Sequence, residues 1–177
     1  MYSSAAKVGR ELKLVSIHLK WNLRNTRAVH DAAYRFYTGR EVSCRGPDGE
    51  PPIPVTVKGP NELKSTVGRL VSRLVNEEAM EPDEIAIIVP DESWIPGVAS
   101  NGMIAGLPIT DAGQPRAGCV TLDTVRRFKG LESCIIVIVV DERFSRSDEL
   151  CYVSLSRGRT RAYLVGPDEH IRALAKK

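Results

Sequence analysis

Residues Ile135 to Val140 read Ile-Ile-Val-Ile-Val-Val, an unbroken succession of β-branched side chains. Successive side chains of a strand point to opposite faces, so a strand of this composition must be covered on both sides. A second run, Ile85-Ala86-Ile87-Ile88-Val89, has the same property. Strands apolar on both faces belong to parallel sheets sheathed by helices. Both runs are expected as central strands of such a sheet. Val55–Val57 and Tyr163–Val165 read as shorter strands, and Leu14–Leu19 has strand character.

Helical patterns alternate with these strands. Val29, Ala32, Ala33 and Phe36 fall at i, i+3, i+4 and i+7, with Asn25 or Thr26 as the cap and Gly39 as the stop. Leu63, Val67, Leu70, Val71 and Leu74 form one apolar stripe behind a cap at Asn61. A last helix is expected from Asp168 through Ala175. Residues 43–54, rich in Gly and Pro, read as a loop. Residues 91–118 show no surviving period and are expected as loops with a short strand near Ile109. The alternation implies an α/β domain with a mainly parallel sheet and helices on both faces. Residues 1–13 look like a polar tail, and residues 14–177 form one domain, which suits a chain of 177 residues.

Several function classes are excluded early. The longest apolar run, Cys134–Val140, is far too short to cross a bilayer, and the start of the chain lacks a signal-peptide pattern. A membrane is therefore not expected as a partner, and a cytoplasmic location is. Cys44, Cys119, Cys134 and Cys151 lie far apart with no C-x-x-C, and His18, His30 and His170 add no ligand cluster. The cysteines read as thiols in a reducing compartment, and no metal site is expected. Net charge is only +3 but is uneven. Residues 1–40 carry eight basic and two acidic residues, residues 41–118 six and twelve, and residues 119–177 eleven and eight. The basic segments suit a partner bearing phosphates; a solvated surface gives the same pattern.

Polar blocks flank the central run. Ahead of it stands Thr124-Val125-Arg126-Arg127-Phe128-Lys129-Gly130-Leu131-Glu132, and after it Leu150-Cys151-Tyr152-Val153-Ser154-Leu155-Ser156-Arg157-Gly158-Arg159. Polar groups at the edge of such apolar strands need a reason, and in open α/β sheets a strand edge is where ligands bind. An earlier block, Leu19-Lys20-Trp21-Asn22-Leu23-Arg24-Asn25-Thr26, opens the first amphipathic helix.

In order and spacing these blocks resemble the late motifs of the UvrD/Rep-type superfamily 1 DNA helicases, in the second RecA-like domain of the motor. The resemblance implies a three-layer RecA-like domain of the phosphate-loop NTPase type. It implies that Arg24 and Arg157 reach across a cleft to the γ-phosphate of ATP. An arginine offers a rigid fork of donors suited to phosphate oxygens; a surface salt bridge is the plainer reading of each. It further implies that Lys129, Gly130 and Glu132 serve the nucleotide, Glu132 through the ribose, and that Thr124, Arg126 and Arg127 track single-stranded DNA. Arg159 and Arg161 are expected to face solvent or to pair with Asp148 or Glu149.

The sequence departs from the family's pattern. Leu23 stands where a tyrosine stacks on adenine, Arg126 where histidine is usual, Gly158 where alanine is usual, and Ser133 where an aromatic residue is usual. No G-x-x-x-x-G-K-[ST] phosphate loop occurs in the 177 residues, and no acidic magnesium-binding block precedes Asn22. ATP and Mg²⁺ are expected to be held mainly by a first motor domain absent from this chain, the N-terminal RecA-like domain of the same parent. Three expectations stay open: a fragment of a motor, a degenerate stand-alone copy, or a non-enzymatic binding module that keeps the fold. The isolated chain is expected to be inactive. In that family an additional subdomain is often inserted in this domain; residues 91–118 leave room for only a small connection, so that subdomain is expected to be absent.

Overall fold

The computed structural model of the chain describes residues Lys20–Lys176. The tail at 1–13 and the strand expected at Leu14–Leu19 lie outside the described residues. In chain order the elements are β1 (Trp21–Asn22), α1 (Arg27–Tyr34), β2 (Ser43–Cys44), β3 (Ile53–Thr56), α2 (Pro60–Asn76) and β4 (Ile85–Val89). There follow α3 (Ile95–Val98), β5 (Met103–Ile104), β6 (Leu107–Thr110), β7 (Val120–Thr124) and β8 (Ser133–Val139). The last are α4 (Glu142–Arg146), α5 (Asp148–Leu155), β9 (Gly158–Gly166) and α6 (Asp168–Ala175).

Seven strands form one sheet in the order β3-β9-β8-β4-β7-β6-β5, parallel except for the β5–β6 hairpin. β1 and β2 pair separately. The two continuous apolar runs lie at the centre, β8 between β9 and β4, and β4 between β8 and β7. Their period of two splits them between two cores. Ile85, Ile87, Ile135, Val137 and Val139 pack with the Leu63–Leu74 stripe of α2 on one face. Ala86, Ile88, Ile136, Ile138 and Val140 pack with Val29, Phe36, Phe144, Cys151 and Leu155 on the other. The result is an α/β domain with helices on both faces of a mainly parallel sheet, as the alternation implies, in the three-layer RecA-like form that the resemblance implies.

The boundaries differ for physical reasons. α1 ends at Tyr34, short of Gly39, because Phe36 turns into the core and its N–H donates to the Ala33 carbonyl, a bond of the tighter three-residue kind. Thr26 holds the cap position of α1 but makes no capping bond; its hydroxyl is engaged elsewhere. Asn61 lies inside α2, which opens with Pro60 at its first turn, where the missing N–H costs nothing. The Glu62 carboxylate instead accepts the N–H of Lys58 at 2.9 Å. β3 starts earlier than Val55, and β9 runs from Gly158 because its polar first half is laddered to β8, Ser133 against Gly158 and Ile135 against Arg161. β7 has no counterpart in the sequence reading. The 91–118 stretch is a helical turn, the one-turn α3 and the β5–β6 hairpin, with Ile109 inside β6.

Candidate functional site

Parallel strands send all their carboxyl ends to one edge of the sheet and all their amino ends to the other. Glu132 and Arg157 immediately precede β8 and β9, so they meet at the amino edge, where the Ser133 N–H donates to the Arg157 carbonyl at 3.1 Å. β1 and the turn after it carry Arg24 to the same place. Its Nε donates to Glu132 Oε2 at 2.9 Å, and Arg159 Nε stands 4.0 Å from Glu132 Oε1. The Arg157 guanidinium is half-buried and folded back on the chain. Nε donates to the Val153 carbonyl at 2.9 Å, Nη1 to the Leu131 carbonyl at 3.3 Å and Nη2 to Ser156 Oγ at 3.0 Å. A guanidinium has donors to spare beyond these. Burial first, and then the positive charge of Arg24, push Arg157 below the usual arginine value; Tyr152 and Glu132 oppose the shift. Three guanidiniums thus gather around one carboxylate, an excess of positive charge that suits an anion.

A buried amide network holds these segments together. Asn25 is 3% exposed. Its Nδ2 donates to the Ser156 carbonyl at 3.2 Å and to the Gly158 carbonyl at 2.5 Å, the two carbonyls that flank Arg157. Thr26 adds its N–H to the Arg159 carbonyl at 2.8 Å and its hydroxyl to the Thr160 carbonyl at 3.2 Å. Asn22 Nδ2 reaches Asn25 Oδ1 at 2.7 Å and His30 Nδ1 at 2.9 Å, while Asn22 Oδ1 accepts the Arg24 N–H at 2.9 Å. Gly46 closes the back of this network: a Cβ there would meet the Asn25 carbonyl oxygen at 2.0 Å.

The second site lies toward the carboxyl edge. β7 ends at Thr124, and residues 125–130 turn back across the α1/α5 face. Val125 and Phe128 point into the core at 4% and 3% exposure, so Arg126, Arg127 and Lys129 are left on the surface. Thr124 is buried, and its Oγ1 accepts the Arg127 N–H at 3.3 Å. Between this turn and α5 runs a groove of about 680 Å³ lined by Thr124, Arg126, Arg127 and Lys129, with Arg143 and Glu149 among the facing residues. Arg127 lies 3.4 Å from both Asp111 and Asp123. Asp123 is 1% exposed; its carboxylate also accepts the N–H groups of Ala112 at 2.9 Å and Thr124 at 2.7 Å.

The single polar edge read from the sequence is therefore two. Arg24, Glu132 and Arg157 come together at the amino edge, while Thr124, Arg126 and Arg127 line the groove, and Lys129 lines it with them rather than joining Glu132. The cause is the short passage from β7 to β8, which starts at one edge and ends at the other. Gly130 lies between the two, with φ at +93° and no heavy atom within 4 Å of where a Cβ would stand, so its role is the left-handed backbone and not a close approach. Arg159 and Arg161 do not pair with Asp148 or Glu149, which open α5 at the far edge. Arg159 faces Glu132, and Arg161 pairs with Glu78 and bonds the Tyr163 hydroxyl at 3.0 Å. Gly158 is fixed by packing, since a Cβ would come within 2.9 Å of Ile136. The sequence does not mark Asn22, Asn25, Asp123 and Arg143 as site residues; only the position of the two asparagines beside Arg24 hints at them.

No protein-family profile matches the sequence, and no curated protein matches it. Among solved structures the chain is similar to the C-terminal domain of a possible DNA helicase from Lactobacillus plantarum WCFS1. The TM-score is 0.59 at 18% identity, over 82% of this chain and 88% of that one. The likeness is one of fold: this chain has the α/β/α form of a helicase C-terminal domain. Among the described residues no helix is long and apolar enough to cross a membrane.

Proposed function

We propose that the chain is the second motor domain of an ATP-dependent DNA helicase of the UvrD/Rep type. It supplies the arginine half of an interdomain ATP site and part of a single-strand track. The observation that carries this reading is the juxtaposition of Arg24 and Arg157 from distant parts of the chain, on a fold like that of a helicase C-terminal domain. Two guanidiniums beside a third, with one carboxylate among them, fit the oxygens of a polyphosphate. In phosphoryl transfer negative charge must be met where the γ-phosphate leaves, and arginines supplied across a cleft do this. Arg24 and Arg157 take that role, and Glu132, released from Arg24 when an anion arrives, accepts from the ribose hydroxyls.

Among the described residues no group of three or more His, Cys, Asp or Glu is arranged to hold a metal ion. Mg²⁺ and the phosphate loop belong to the partner half, the N-terminal RecA-like domain. Thr124, Arg126, Arg127 and Lys129 present donors and positive charge to a phosphodiester backbone, contacts that position a strand without reading its sequence.

The rival reading is a binding module that keeps the fold without turnover. One experiment separates the two. ATP hydrolysis is measured for this chain alone and for the protein containing both motor halves, with Mg²⁺ and single-stranded DNA. The chain alone is expected to release no phosphate, and the two-domain protein to turn over with DNA stimulation. A two-domain protein that binds DNA without turnover favours the module.

A further inference from the structure

The pair Arg24 and Arg157 poses a physical problem. Two guanidiniums are held near one another, one of them half-buried, and burial first, then the charge of Arg24, disfavours the charged form of Arg157. Like charges on exposed long side chains drift apart unless the backbones beneath them are fixed. Glu132 bridges only part of the repulsion, since it bonds Arg24 at 2.9 Å and lies at the limit of ion pairing with Arg159.

We infer that Asn25, supported by Asn22, is the positioning residue that sets Arg24 and Arg157 as one anion-binding pair; the inference rests on the anion reading given above. Asn25 follows Arg24 directly in the chain, and its amide grips the carbonyls on either side of Arg157. One side chain thereby fixes both arginine backbones relative to each other. Asn22 locks the grip from behind. Its Oδ1 accepts the backbone N–H of Arg24, and its Nδ2 donates to Asn25 Oδ1, which orients the Asn25 amide so that Nδ2 faces the two carbonyls. A hydroxyl in place of the Asn25 amide cannot serve two carbonyls at once, because it has a single donor.

The test uses the full 177-residue chain, inorganic tripolyphosphate as the probe, and neutral replacements only, so that no new charge enters the site. Asn25→Ser and Asn25→Leu are titrated calorimetrically, and thermal unfolding is followed on the same samples. The expected result is a folded chain whose tripolyphosphate affinity falls about tenfold, with no further fall when either replacement is added to Arg157→Ala. The change in midpoint temperature is expected to be the same in both backgrounds. A lower midpoint with unchanged affinity in the folded chain overturns the inference and leaves Asn25 a structural residue. If the unsubstituted chain does not bind tripolyphosphate, the anion reading itself fails. The positioning claim is then decided without ligand, from the arginine Nε–H resonances of Arg24 and Arg157. Replacement of Asn25 is expected to move both, and unmoved resonances overturn the claim. Should both variants fail to fold, Asn22→Ser provides the same comparison one bond further out, with the same two readouts.

Discussion

The two basic clusters of this domain, one at each edge of the sheet, are assembled in opposite ways. At the amino edge three arginines come from two remote segments, two of them pair with one carboxylate, and a buried amide ties the segments together. In the groove Arg126, Arg127 and Lys129 come from a single turn, and acidic groups stand close by, with Asp111 and Asp123 on Arg127 and Asp91, Glu92 and Glu149 along the walls. The first arrangement concentrates uncompensated charge at a point, which suits a compact polyanion. The second spreads nearly balanced charge along a line, which suits a chain of single phosphates held loosely enough to move.

The sharpest way to break this contrast is Arg157→Ala in the protein with both motor halves. Turnover is expected to fall by a factor of roughly 10³ or more, with the circular dichroism unchanged and the melting temperature lowered only modestly by the loss of the bonds to Val153, Leu131 and Ser156. Arg126→Ala in the same protein should leave turnover at saturating DNA nearly intact. Equal losses from the two substitutions would mean that the edges do not divide the work.

Next in size is Asp123→Ala. It strands two buried N–H groups and leaves Arg127 with Asp111 alone, and bonds to charged groups are worth enough that a loss of about 3 kcal/mol is expected, read by chemical denaturation. Asp111→Ala, whose carboxylate is half-exposed, should cost far less. A small effect at Asp123 would show that the β6–β7 loop is held by other means.

A gentler probe is salt. Each phosphate contact removed should shrink the slope of log affinity against log salt by about 0.7 for single strands. Arg126 has no ion pair among the described residues, so Arg126→Ala is expected to show the full change. Arg127→Ala should show less, because Arg127 must leave Asp111 and Asp123 before it meets a phosphate. Wild-type slopes in both variants would move the track away from this turn.

The smallest effect concerns Tyr34, which packs against His30, Tyr37 and Tyr152 between α1 and α5. Burial, and then Tyr152, push its phenol up to about 12. A phenol kept neutral in this way contributes stability that is intact below its ordinary value near 10 and is lost as pH climbs from there through about 12. Tyr34→Phe should flatten that alkaline decline slightly. An identical decline in the variant assigns the titration to another group.

What the sequence discloses follows the same division. β4 and β8 are legible because a strand apolar on both faces has few other places to go. The basic residues Arg126, Arg127 and Lys129 are legible because they cluster within four positions, but that the chain already turns from Val125 on is not. β7 is not: Val120-Thr121-Leu122-Asp123-Thr124 alternates like a half-exposed strand, yet every residue of it is buried. Asp123 is buried because it pins the Ala112 N–H, a contact no local pattern announces. Asn25 reads as a helix cap, the commonest use of that residue at that place. Its actual partners lie 131 and 133 residues away. Residues that organise a site through distant carbonyls carry no periodic signature, so they emerge only from the folded chain.

One further consequence comes from the passage between β7 and β8. Its first residue is tied to the carboxyl end of β4, Val125 N–H to the Val89 carbonyl at 3.0 Å, and its exit to the amino end, Ser133 Oγ to the Glu84 carbonyl at 2.6 Å. A strand of β4's length spans roughly 17 Å. The passage must cover that distance while spending residues 125–130 in turns, which advance the chain far less than extended backbone does. Val125, bonded to Val89, and Phe128, held in the core, moor the first half of the passage on either side of Arg126 and Arg127. The two arginines therefore sit on a fixed stretch of backbone, and the freedom left to the passage lies beyond Phe128, at Gly130, whose φ of +93° turns the chain toward Glu132.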